Sequence, residues 1–237
     1  MNQGWIVAPK KSITEQDIIL TAFHMIRTMG TRSVTARKIA LEIGCSTMPL
    51  YSTVGSMQDL NIRVMEIGYI LLEQLRQRIH SGCPLLDLQL AMYQLAEHEP
   101  HLWRLMFLNS LETAREPQFS EWRRLVQDIE ESLPGAGSLA DPTRIQQLQD
   151  VSYALIGVCA SINLGTFFYL QERPQDQASY ITQVFSRLNT GLIPWYTPPA
   201  AKPAGLDQAL QSALDTTIEL CSTPTTPEAP DTAHAVS

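Results

Sequence analysis

The stretch from Thr35 to Leu60 reads TARKIALEIGCSTMPLYSTVGSMQDL, two short helical patterns parted by a glycine and followed by the start of a longer one. Thr35 is a good N-cap, so the first short helix is expected to begin sharply, turn its first amides to solvent and run to Ile43. Ile39 and Ala40 face inward, and the small alanine lets neighbouring helices come close. Gly44 can take positive φ at the turn without steric cost. Ser46 is expected to open the second helix and Pro49 falls in its first turn, where a missing amide hydrogen does no harm. Because Pro49 cannot donate, the Ser46 hydroxyl is expected to cap Met48. Leu50 anchors the helix, which leaves Ser46, Thr47, Met48, Tyr51 and Ser52 to face outward. Such side chains suit groove edges and phosphates.

Working outward, helical spacing recurs along the chain and strand-like alternation is nearly absent, which predicts an all-α fold. Thr14 and Asp17 form a capping-box pattern ahead of Ile18, Ala22, Ile26 and Met29, with Gly30 as the stop. Ser56 and Asp59 open a longer helix whose apolar residues Met57, Leu60, Val64, Ile67, Leu71, Leu75 and Ile79 step by three or four. Further helices are expected over 85–98, 100–113, 117–133, 143–172 and 175–191, punctuated by Pro100, Pro117 and the loop from Pro134 to Gly137. From Pro198 the chain becomes rich in Pro, Ala and Thr. One amphipathic helix over 206–221 is expected there, with disorder after Ser222. The domains so drawn are 12–56, 57–195 and a tail over 196–237.

The 237 residues are 44% hydrophobic and 17% charged, an ordinary globular balance. A net charge of −7 argues against indiscriminate coating of nucleic acid. Its distribution is uneven. Residues 1–60 carry six Lys/Arg (Lys10, Lys11, Arg27, Arg32, Arg37, Lys38) against four acids, whereas the remainder has eleven against twenty. A mildly basic head on an acidic body fits a small DNA-reading module attached to something else. Cys45, Cys83, Cys159 and Cys221 show no paired spacing, and the first residues lack the pattern of a signal peptide. A reducing, cytoplasmic location is therefore expected. The uncharged run from Tyr153 to Leu170 is interrupted by Gly157, Ser161, Asn163, Gly165 and Thr166, and is expected to be a buried helix with no role in a membrane.

Enzyme signatures fail on spacing. In His98-Glu99-Pro100-His101 the two histidines are three apart, and Pro100 breaks any helix between them. Gly135 to Ala140 follows Leu133-Pro134 and not a strand, so it is no dinucleotide fingerprint. No catalytic residue, metal ligand or cofactor is expected.

The spacing Thr-x3-Ile-Ala-x3-Gly-x-Ser-x3-Leu-Tyr, followed by Ser56 and Leu60, resembles the DNA-binding domain of the TetR family of bacterial transcriptional regulators, over about residues 14–60. The resemblance implies a three-helix head with a helix-turn-helix, residues 46–52 as the recognition helix in the major groove, and phosphate contacts around Thr35, Arg37 and Tyr51. There are two departures from the family pattern. Thr53 and Val54 stand where an aromatic pair is usual, and Met57 stands where a lysine commonly contacts phosphate. Lys10, Lys11 and Arg37 are the candidates to compensate.

For the body, the resemblance implies a pocket for a small-molecule effector and a homodimer built on a four-helix bundle. Residues on two faces of the 143–172 pattern are apolar, so burial between two partners is expected. The small residues Gly157, Ser161 and Gly165, with Phe168, make this helix and that of 175–191 the expected dimer seam. Tyr69, Tyr93, Trp103, Met106, Phe107, Asn109 and Tyr153 are the candidate lining of an apolar pocket. The expectation is a repressor of near-palindromic double-stranded DNA. The alternative is a helical module that binds ligand or protein and has lost DNA binding.

Overall fold

Thr14 starts the first helix through a reciprocal cap. Its hydroxyl oxygen accepts the Asp17 amide, and the Asp17 carboxylate accepts the Thr14 N–H. The computed structural model describes residues 13–108, 142–166, 177–192 and 206–222, together with Gln127 and Glu131. Its helices are α1 (Glu15–Met29), α2 (Ala36–Ile43), α3 (Thr47–Val54), α4 (Met57–Arg76), α5 (Pro84–His98), α6 (Pro100–Phe107), α7 (Pro142–Asn163), α8 (Gln177–Leu192) and α9 (Leu206–Ser222). A 3-10 turn, Thr31–Ser33, joins α1 to α2. Among the described residues there is no strand, and the described chain is all-α.

The long helix α4 is the axis of the molecule. Its buried residues Leu60, Val64, Ile67, Leu71 and Leu75 follow the three-four spacing of the sequence. Around it pack α1, α3, α5, α6 and α9. Helix α5 is enclosed on every side, each residue from Leu88 to Ala96 being buried. Two polar residues go in with it. Gln89 exchanges reciprocal amide hydrogen bonds of 2.7 Å with Asn189 of α8, which fixes the register of those helices.

One ion pair locks α1 onto the joint between α5 and α6. The Arg27 guanidinium grips both carboxylate oxygens of Glu99, with Nε to Oε2 at 2.7 Å, and its carbon lies 5.4 Å from the Phe23 ring centroid. A second joint lies at the end of α7. The Asn163 amide donates to the carbonyls of Ala96 and Pro100, and its oxygen accepts from Arg104 Nε.

Several sequence expectations need correction. The helix expected over 143–172 closes at Asn163, because Gly165 (φ 67°) turns the chain. The Gly165 N–H donates to the Ile162 carbonyl and the Thr166 N–H to that of Ser161. Gly165 therefore lies beyond the helix that carries Gly157 and Ser161. Helix α6 closes at Phe107, short of residue 113, and α4 at Arg76, short of Ile79. The helix expected over 117–133 lies outside the described residues save for Gln127 and Glu131, which are helical and joined side chain to side chain at 3.1 Å.

The helix expected inside the tail is present as α9, and it packs on α4, α1 and α5. Its own Ala209, Ala213, Leu214 and Thr217 are buried, and Arg78 donates to Ser212 Oγ and Thr216 Oγ1. No described helix is long and apolar enough to cross a membrane.

Candidate nucleic-acid interface

The geometry of α2 and α3 follows from their ends. Thr35 Oγ1 accepts the Lys38 amide at 3.3 Å and opens α2. At its other end Gly44 (φ 79°) takes the left-handed conformation. The Gly44 N–H then reaches the Leu41 carbonyl, and the Cys45 N–H reaches that of Ala40. The chain thereby reverses in two residues and α3 packs across α2. Ala36, Ile39 and Ala40 bury one side of α2, and Leu50 and Val54 pin α3 to α1 and α4.

What remains outside is the face the sequence singled out. Ser46, Met48, Tyr51 and Ser52 are exposed and Thr47 is half-buried. Met48 is 79% exposed and Tyr51 49%, although both are large and partly apolar. The Ser52 hydroxyl donates to the Pro49 carbonyl at 2.9 Å, which leaves its oxygen able to accept. Beside this face stand Thr35 and Arg37, both exposed, and Lys38, whose Nζ donates to the Ser33 carbonyl at 2.7 Å. Between Thr31 and Ser56 the one acidic residue is Glu42, against Arg32, Arg37 and Lys38. The surface is therefore locally cationic on a chain whose net charge is −7. Lys10 and Lys11 lie outside the described residues.

The cap at Ser46 differs from expectation. Its backbone is extended (φ −85°, ψ 168°) as an N-cap should be, yet its side chain makes no hydrogen bond into α3. The position a serine oxygen usually reaches is filled by Pro49, which has no N–H to give. Of Thr53, Val54 and Met57, the first is exposed, the second is buried and the third packs against the core.

The residues offered for an effector pocket separate into two groups. Tyr69, Tyr93, Trp103 and Met106 are buried, and Phe107 is half-buried. Phe107 meets Tyr69 edge-on at 6.3 Å and Trp103 at 5.5 Å between centroids. Two atoms in these helices, Trp103 Nε1 and Gln94 Oε1, are buried with no hydrogen-bond partner among the described residues. Burial pushes the Tyr69 hydroxyl up to about 12, so it stays protonated. Tyr153, in contrast, is 70% exposed on α7, and Asn109 lies outside the described residues.

Of the residues named for a dimer seam, Gly157 is exposed and Ser161 half-buried on α7, while Gly165 is exposed in the turn beyond it. Phe168 lies outside the described residues. A Cβ built on Gly157 would meet nothing within 4 Å among the described residues, whose packing does not demand a glycine there. Tyr153, midway along α7, and Leu164 (62% exposed), just past its end, are large hydrophobic residues open to solvent.

Sequence reasoning missed the Arg27–Glu99 and Gln89–Asn189 pairs. Their members are 72 and 100 residues apart, and nothing local marks them. Compared with known proteins, the chain matches no family model and no curated protein.

Proposed function

We propose that this chain is a homodimeric, TetR-like transcriptional regulator, acting as a repressor. Its helix-turn-helix of α2 and α3 reads the two halves of a near-palindromic DNA site. The observation that carries the reading is the division of α3: Leu50 and Val54 are buried while Ser46, Met48, Tyr51 and Ser52 stand in solvent beside Arg37 and Lys38. A short helix held by two inward anchors and offering polar side chains, a tyrosine and flanking cations fits a major groove. In a dimer two such helices would sit about 34–36 Å apart, one turn of the duplex. The exposed Tyr153, Gly157 and Leu164 support α7 as the seam. The aromatic group of Tyr69, Trp103 and Phe107, with Trp103 Nε1 unpartnered among the described residues, supports an effector site in the body. An effector that favours one arrangement of the body would weaken DNA binding by population shift.

A second reading rests on one observation. Leu41, Met48 and Tyr51 are large and exposed on the α2–α3 face, as they would be in a module that docks on another protein. A gel-shift against DNA flanking the chain's own coding region separates the two. The DNA reading expects a discrete complex that Tyr51→Ala weakens for every sequence. Thr47→Val is expected to change base preference by about 1–3 kcal/mol at one position of each half-site. Retention of no DNA fragment at low salt, including fragments selected from the genome, would refute it.

A further inference from the structure

Where the 3-10 turn meets α6, a cleft of about 350 Å³ is lined by Met29, Gly30, Thr31, Arg32, His101 and Arg104. Its volume falls at the small end of the range for ligand sites. The lining is one-sided in charge, with two guanidinium groups and an imidazole and no carboxylate. The neighbouring acid, Glu99, is already held by Arg27. Arg32 is exposed and makes no hydrogen bond or ion pair with a described residue. Arg104 is different: Asn163 takes its Nε and Nη2, which holds the guanidinium in place and leaves Nη1 uncommitted. On the opposite wall Gly30 (φ 75°) brings the backbone so close to α6 that a Cβ there would stand 3.1 Å from His101 Nδ1.

The geometry points to this cleft as the binding site of a small anion, a compact phosphate or dicarboxylate, held between Arg32 of the α1–α2 turn and Arg104 of α6. Two guanidinium groups on one cleft, one positioned by its own hydrogen bonds and one uncommitted, suit recognition of a phosphate or carboxylate group. An unpaired cation facing another across a cleft is repelled, and an anion between them removes that repulsion. The occupied cleft also ties the α1–α2 turn to α6, and through Asn163 to the end of α7. Binding itself does not depend on the DNA reading.

The test is calorimetric titration of the full chain with inorganic phosphate and, separately, succinate, at low ionic strength matched with chloride. The expected result is saturable uptake of one anion per chain, with the preferred probe telling phosphate from carboxylate. Arg32→Gln is expected to weaken it by about tenfold or more, and Arg32→Glu to abolish it. Both variants should melt where the parent does without ligand, since Arg32 supports no described contact. Absence of saturable uptake of either probe at millimolar concentration would overturn the proposal. So would uptake that Arg32→Gln leaves unchanged. If neither probe binds while Arg32→Gln lowers the salt dependence of DNA binding, Arg32 serves the DNA backbone and the site falls.

Discussion

Replacing Arg37 by alanine would isolate the electrostatic part of the proposed DNA binding from the fold. Arg37 lies on the outer side of α2, is exposed, and makes no hydrogen bond or ion pair with a described residue. Its loss should therefore change stability by no more than about 0.5 kcal/mol. On the proposed reading, in which two subunits share one duplex, the substitution removes two phosphate contacts. The slope of log affinity against log salt should become shallower by about 1.8, since each contact contributes about 0.9. Over a fourfold rise in salt, from about 50 to about 200 mM, parent and variant then differ by about one further decade in lost affinity. Fluorescence anisotropy of a labelled duplex across that range measures both slopes, and a thermal melt of each protein controls for folding. A variant that melts with the parent and keeps the parent's slope would refute the placement of Arg37 on the DNA backbone. Arg32→Gln should leave that slope alone, because its guanidinium is assigned to the cleft.

Arg27→Met should cost about 2–3 kcal/mol in urea unfolding, less than a fully buried pair because Arg27 is 20% exposed. It strands the 9%-exposed Glu99 carboxylate, and the double variant with Glu99→Leu should recover most of the loss; a loss under about 0.5 kcal/mol would refute this. Tyr69, pushed up to about 12, should make the fold sensitive to alkali. The unfolded chain gives up this proton near pH 10 and the folded chain does not, so rising pH favours unfolding. Between about pH 9 and about pH 11.5 the parent should lose about 2 kcal/mol more than Tyr69→Phe, and equal losses in urea titrations would contradict the cause assigned. Gly157→Leu should be tolerated within one chain, where a Cβ meets nothing within 4 Å, yet should split a dimer seamed on α7. Light scattering that reports an unchanged dimer would move the seam elsewhere.

Local chemistry made the head legible in the sequence. The Thr14 and Thr35 caps, the Gly44 turn and the inward pair Ile39 and Leu50 each act within a few residues, so spacing alone reveals them. The outward set on α3 followed as the remainder of that pattern. Ser46 resisted the same reading, because whether a hydroxyl turns into its helix depends on χ1 and on what Pro49 withholds. The end of α7 was misjudged because a glycine inside an apolar run looks like close packing until its φ is known. Tyr153 was offered for the pocket on type alone, and its 70% exposure reflects which face of α7 meets α5 and α8. The cleft was out of reach, since Arg32 and His101 come together only when α1 docks on α6.

The docking of α9 has a consequence for how the protein is made. Residues 206–222 cover sides of both α1 and α4, so α1 and α4 are completed by a helix made well after them. At about 5–20 residues per second, the surfaces that await α9 stay uncovered for roughly 10–40 s of each round of synthesis. A head released by cutting the gene after residue 56 would keep that bare flank permanently. Fusions or tags at the C-terminal side must therefore leave α9 free to reach α1 and α4.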